Sequence, residues 1–210
     1  MPAPTQAQID AMYSLFEDRL RHGKYVVGAS AVSDDRIVDA LRSMADDYAL
    51  FDAVVTKITR PDLNKEGFDL IARREHPGPD VVYTVLEGVM RDAGYDVSHE
   101  MACAWHQDIP SLFEDLATRI HPRADRAGAL RVAAAVSYLE GDPEIRVKHF
   151  ADQLFHVRPE DELRLNVSIA LQEDVRPAFA RNHGVEERTL SVATSGTVAD
   201  PSLARVSVRR

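Results

Sequence analysis

The sequence predicts an all-α fold, a bundle of several helices followed by a short C-terminal tail. Three observations predict it. Apolar residues return every third or fourth position through the first 183 residues, the period of one helix face. The runs are bounded by prolines, glycines and short oxygen-bearing side chains, which start and stop helices. Strand-like alternation is confined to residues 184–210, a stretch rich in Ser, Thr, Val and Ala.

The first face is Ile9, Met12, Tyr13, Phe16 and Leu20. Gly23 and Gly28 punctuate the next stretch, and Ser33 or Asp34 is suited to cap the second helix. Ile37, Leu41, Met44, Tyr48, Phe51, Val55 and Ile58 then form one face, which predicts a single helix of about six turns ending near Arg60-Pro61. A shorter helix is expected over Glu66–Arg74. Pro77-Gly78-Pro79 breaks the chain, and Pro79 fits the first turn of a helix whose inner face is Val82, Val85, Leu86, Val89, Met90 and Ala93. Gly94 sits where helices stop. Ser98 is suited to cap a segment with Met101, Ala104 and Trp105 inward, and Pro110 breaks or restarts it before Leu112, Phe113, Leu116 and Ile120. Further helices are expected over Leu130–Leu139, around Val147, Phe150, Ala151, Leu154 and Phe155, and from Pro159 through Leu171 with a kink at Pro177. Leu190–Val192 and Leu203–Val208 alternate as two short strands would, so residues 184–210 form either a hairpin or a mobile tail.

Composition narrows the function. The 210 residues carry 25 Lys+Arg against 34 Asp+Glu, a net charge of -9, so general nucleic-acid binding is not expected. No apolar run approaches the ~20 residues that span a bilayer, and MPAPTQAQID has neither the charged nor the apolar part of a secretory signal. The single cysteine, Cys103, has no intrachain disulfide partner. These features make the cytoplasm the expected compartment. No GxGxxG, Walker loop or GxSxG elbow occurs.

Histidines are the most informative polar residues. His99 and His106, like His149 and His156, are seven residues apart, which puts each pair on one helix face but about 10.5 Å apart along it, too far for one metal ion. HExxH is absent, as is a repeated carboxylate-x-x-His pattern. Asp34-Asp35 and Asp46-Asp47 read as helix caps or solvated surface, and Glu160-Asp161-Glu162 as an acidic helix start. Cys103, between Ala102 and Ala104, reads as a buried, inert thiol.

The segment from Val82 to Ile120, VYTVLEGVMRDAGYDVSHEMACAWHQDIPSLFEDLATRI, resembles the last two helices of bacterial globins, in particular the globin domain of flavohaemoglobins. Val85, Val89 and Met90 match the first helix and Ala104-Trp105 the second, while Pro79-Asp80 resembles the Pro-Glu pair that opens the first. The likeness therefore covers residues 79–120. Within the helical domain that the period predicts over 1–183, the resemblance implies a globin-like part over about residues 5–121, with additional helices over 124–183 beyond it, and a haem whose iron is held by one imidazole. His76, in IARREH, resembles the proximal histidine, and His149 after Lys148 is its rival; Tyr13, in MYSLF, resembles the distal tyrosine that hydrogen-bonds bound gas. The chain departs from the family in placing Glu75 before His76, in a short connection from His76 to Pro79, and in Pro110 within the final helix.

These readings lead to two functions. One is a haem-binding globin-like protein that binds or senses oxygen or nitric oxide, with His76 as the metal ligand and Tyr13 beside the gas. The other is a cofactor-free helical regulatory or interaction module that associates with itself or with a protein partner. Whether the chain is an enzyme stays open.

Overall fold

The helical period is realised throughout. The computed structural model describes residues 3–21, 35–95, 97–105 and 108–180, and among them no strand occurs. The expected hairpin or tail over 184–210 lies outside the described residues, as do His22, His106 and His183.

Helix α1, Gln6–Ser14, opens with a reciprocal cap in which Thr5 accepts from the Gln8 backbone and the Gln8 side chain accepts from that of Thr5. It continues into one π-helical turn, Leu15–Leu20. The face read from the sequence is the one that packs: Ile9, Met12, Phe16 and Leu20 are all buried.

The single helix expected through Ile37–Ile58 is two. Helix α2 spans Asp35–Ser43 and α3 spans Tyr48–Thr59. Asp47 lies between them in extended conformation and its carboxylate accepts from the Ala49 N–H at 2.8 Å, a competent cap in the middle of an otherwise continuous apolar run. The Met44 and Ala45 carbonyls that a continuous helix would use are instead taken by Arg131 at 2.6 and 3.2 Å.

Helix α4 is Lys65–Ala72, capped by Asn64. Helix α5 is Gly78–Arg91, with Pro79 in its first turn as expected. The segment expected to run from Ser98 to Ile120 contains two helices, α6, Val97–Trp105, and α7, Ile109–Thr118; Asp108 caps α7 and Pro110 occupies its first turn. A short 3₁₀ turn over Arg123–Arg126 leads into α8, Ala127–Leu139; α9 is Glu144–Val157 and α10 is Glu162–Gln172. The last helix starts after Asp161 rather than at Pro159 and stops before Pro177.

Two helices form the centre. Every residue of α8 is buried, and α3 is buried from Leu50 to Thr59 except at Asp52. Helices polar on no side belong to a core. They pack on each other; α1, α4, α5 and α6 surround α3, while α2, α7, α9 and α10 surround α8. One apolar cluster runs from Ile9 to Phe179. Close approach explains Gly128: a Cβ there would lie 2.1 Å from the Leu41 carbonyl oxygen and 2.9 Å from the Ala45 nitrogen.

Among the buried polar groups, three charged side chains stand out. Arg131, in the alanine-rich α8, donates from Nη2 and Nε to Oδ2 of Asp161 at 2.5 and 3.1 Å and lies 4.2 Å from the centre of the Tyr48 ring. Asp161 also caps α10 through the Leu163 N–H. Lys57 closes the end of α3, donating to the Pro61 and Leu63 carbonyls at 2.8 and 2.7 Å and pairing with Glu17 at 2.5 Å. Each of these groups is satisfied, as burial requires. No helix among the described residues is long and apolar enough to cross a membrane.

Candidate functional site

The chemistry of α3 begins with an anomaly in its sequence. Leu50-Phe51-Asp52-Ala53-Val54-Val55-Thr56 is apolar except at Asp52 and Thr56. These two stand four residues apart and so share a face one turn apart. That face looks into a cavity of about 280 Å³. Phe51, Asp52, Val55 and Thr56 of α3 line one side; Val82, Leu86 and Met90 of α5 line another. Helix α8 contributes Ala135, Tyr138 and Leu139, and α10 contributes Leu163, Asn166, Val167 and Ala170. The cavity therefore sits over the α3–α8 pair, where α5 rests on α3 and α10 rests on α8.

Its walls are almost wholly hydrocarbon, and the polar groups are few. Tyr138 turns its hydroxyl away, donating to the Val175 carbonyl at 2.9 Å. Asn166 is at the exposed rim. Thr56 is buried, and its Oγ1 has no hydrogen-bond partner among the described residues, although a helical threonine can bond back to the preceding turn. Asp52 is half-buried and makes no ion pair or hydrogen bond among the described residues. Burial pushes its carboxyl up to about 6; Arg74 and Arg131 oppose that shift and Asp47 adds to it. Arg131 is engaged by Asp161, and Arg74, exposed, stands 3.8 Å from Asp47. An apolar pocket with a small number of convergent polar groups, one with a displaced pKa, is the usual form of a small-molecule site.

The residues assigned to haem lie elsewhere. His76 is at the corner before α5, its side chain 87% exposed and 3.3 Å from Asp80. Tyr13 packs edge-on to Phe68 with Lys57 and Lys65 over its ring, and burial raises its hydroxyl pKa. His149, on α9, is exposed and 2.8 Å from Glu114 of α7. None of the three lines the cavity, whose lining contains no histidine. By the scale on which about 150 Å³ admits benzene, 280 Å³ admits about a dozen non-hydrogen atoms, and a porphyrin ring is larger. His76, Tyr13 and His149 therefore stand apart from this cavity. Among the described residues no three His, Cys, Asp or Glu side chains come together as a metal site.

Two other expectations are settled by helix geometry. Cys103 is exposed, not buried, with its sulfur 3.6 Å from His99 Nε2. Met101 and Trp105 are the inward residues of α6, and a residue midway between two inward positions points to the other side of a helix. The acidic pair Asp46-Asp47 divides its work, Asp47 capping α3 and Asp46 pairing with Arg158 at 2.7 Å. Sequence reasoning singled out neither Asp52 nor Thr56. The only local signal was a lone carboxylate within the apolar centre of α3.

No protein-family model matches the chain, and no curated protein or solved structure is significantly similar to it.

Proposed function

We propose that the protein is a helical binding module for a small, largely apolar molecule, held in the cavity between α3, α5, α8 and α10. The observation that supports this reading is the pairing of a hydrocarbon-lined space of about 280 Å³ with two polar side chains, Asp52 and Thr56, that have no partner of their own among the described residues. A core of this kind otherwise fills its voids and pairs its polar groups. Occupancy by a ligand supplies the missing contacts and explains why the sequence keeps a carboxylate there.

The test is calorimetric titration with butylbenzene, an uncharged hydrocarbon that fits the volume, together with the shift it causes in Tm. Wild type is expected to bind one equivalent and to melt higher with it. Leu86, half-buried on the α5 wall, gives the control: Leu86→Trp fills the space, and is expected to abolish binding while retaining the helical spectrum and a cooperative melt. Unaltered binding in a folded Leu86→Trp, or no saturable binding by wild type, overturns the proposal. Hemin belongs in the same series. A Soret band that disappears in His76→Ala would favour gas binding over this reading.

A further inference from the structure

We propose that the natural occupant of this cavity is an organic monocation, an amine carried on an apolar body, whose ammonium group pairs with Asp52 and donates to Thr56 Oγ1. The inference rests on the binding reading above and adds the chemical class of the ligand. Its geometric basis is the placement of the acceptors. An ionised carboxylate is acceptor-only, and a hydroxyl accepts as readily as it donates. The two stand one helical turn apart on the same face of α3, above walls that offer hydrocarbon. An ammonium has several donors to divide between them, and its organic body meets Val82, Leu86 and Val167.

Charge selects the same class. A carboxylate in an apolar wall needs a counter-ion or a proton. The groups that act on Asp52 are Arg74 from the corner between α4 and α5, Arg131 from α8, and Asp47 from the start of its own helix. Arg131 is committed to Asp161, whereas Arg74, an exposed side chain, acts on Asp52 only at long range and lies 3.8 Å from Asp47. Helices α5 and α10 contribute no titratable side chain to the lining, and the one from α8, Tyr138, is engaged with Val175. Thus no described cation makes an ion pair with Asp52, and a cationic ligand is the group that completes the site. An anionic ligand would meet Asp52 directly on a chain of net charge -9. The elevated carboxyl pKa, about 6, agrees with this placement: the free protein holds a proton there in mild acid, and a bound cation displaces it.

Three probes of nearly equal shape decide the matter: 4-phenylbutylamine, 4-phenylbutanol and 4-phenylbutyrate, titrated into the whole chain by calorimetry. Above about pH 7 the amine is expected to bind at least about tenfold more tightly than the alcohol, and the carboxylate most weakly. Lowering the pH to about 5 protonates Asp52 and shrinks the amine's lead to about threefold or less. Asp52→Asn, which is expected to melt no lower than wild type, removes the amine's lead over the alcohol. Equal binding of amine and alcohol by wild type overturns the cation assignment and leaves the cavity reading in place. A lead that survives Asp52→Asn overturns the role of Asp52. Failure of all three probes to bind overturns the cavity reading itself.

Discussion

Arg131 and Asp161 show how much one pair of side chains decides. Arg131 is expensive to bury, yet its guanidinium is shared among Asp161, the Met44 carbonyl and the Ala45 carbonyl. It thereby joins α8 to the end of α2 and the start of α10. Arg131→Met would strand the Asp161 carboxylate without its cation, and is expected to lower stability by about 3–5 kcal/mol in urea unfolding. Adding Asp161→Asn to that variant removes the stranded charge and should recover part of the loss. A double variant no more stable than Arg131→Met alone would show that the two carbonyls, rather than the ion pair, govern this contact. Asp161 was legible from the sequence as part of an acidic helix start. Its partner was not, because Arg131 lies 30 residues away and nothing local marks which carboxylate a buried arginine will reach.

At the scale of elements, the division of residues 35–59 into α2 and α3 is the clearest case of tertiary contacts overruling period. A continuous apolar face from Ile37 to Ile58 favours one helix, yet the Asp47 cap and the engagement of the Met44 and Ala45 carbonyls by Arg131 end it early. The bend also admits the start of α8 against α2, where Gly128 leaves no room for a side chain. Gly128→Ala should therefore destabilise by about 2–3 kcal/mol despite alanine's better helix propensity. Gly88, within α5, has open space where a methyl group would stand, with no neighbouring atom within 4 Å, and Gly88→Ala should stabilise by about 0.5–1 kcal/mol. Thermal melts of the two variants check the contrast; shifts of the same sign would contradict it. The inward face of α1 and the placement of Pro79 in the first turn of α5 were readable from local residues. Helix ends that depend on distant partners were not.

Over the whole molecule, acidic groups set the response to pH. Burial raises the Asp52 carboxyl from 3.8 to about 6, and raises Glu140 from 4.5 to about 8 with help from Asp142 and Asp108, against Arg146. A folded state with the higher pKa holds the proton more tightly than the unfolded chain, so these two groups add stability as pH falls from about 8 toward 5. In the opposite sense, Asp10 and Asp108 have lowered pKa values: hydrogen bonding to Lys65 leads for Asp10, and for Asp108 burial is outweighed by hydrogen bonds from Ser111 and Arg146. Their contribution is lost as pH falls through the acid range below about 4. The urea midpoint is expected to be highest near about pH 5, and Asp52→Asn and Glu140→Gln should each flatten its rise by about 1–2 kcal/mol between about pH 8 and 5. An unchanged pH profile in both variants would show that neither group carries the dependence.

The sequence by itself determined that the chain is helical, which faces of α1, α5 and α7 point inward, and that its net charge is acidic. Those properties are local: they come from a period of 3.6 residues, from caps and prolines close by, and from a sum of charges. Only the tertiary structure decided where α2 stops, that Arg131 meets Asp161, that Cys103 faces outward, and that Asp52 and Thr56 look into a cavity. Four helices spread from Phe51 to Ala170 build that cavity. Its walls are apolar at the same period as any core face, so a cavity-lining residue and a packed one are written alike, and the difference lies in how closely distant helices approach.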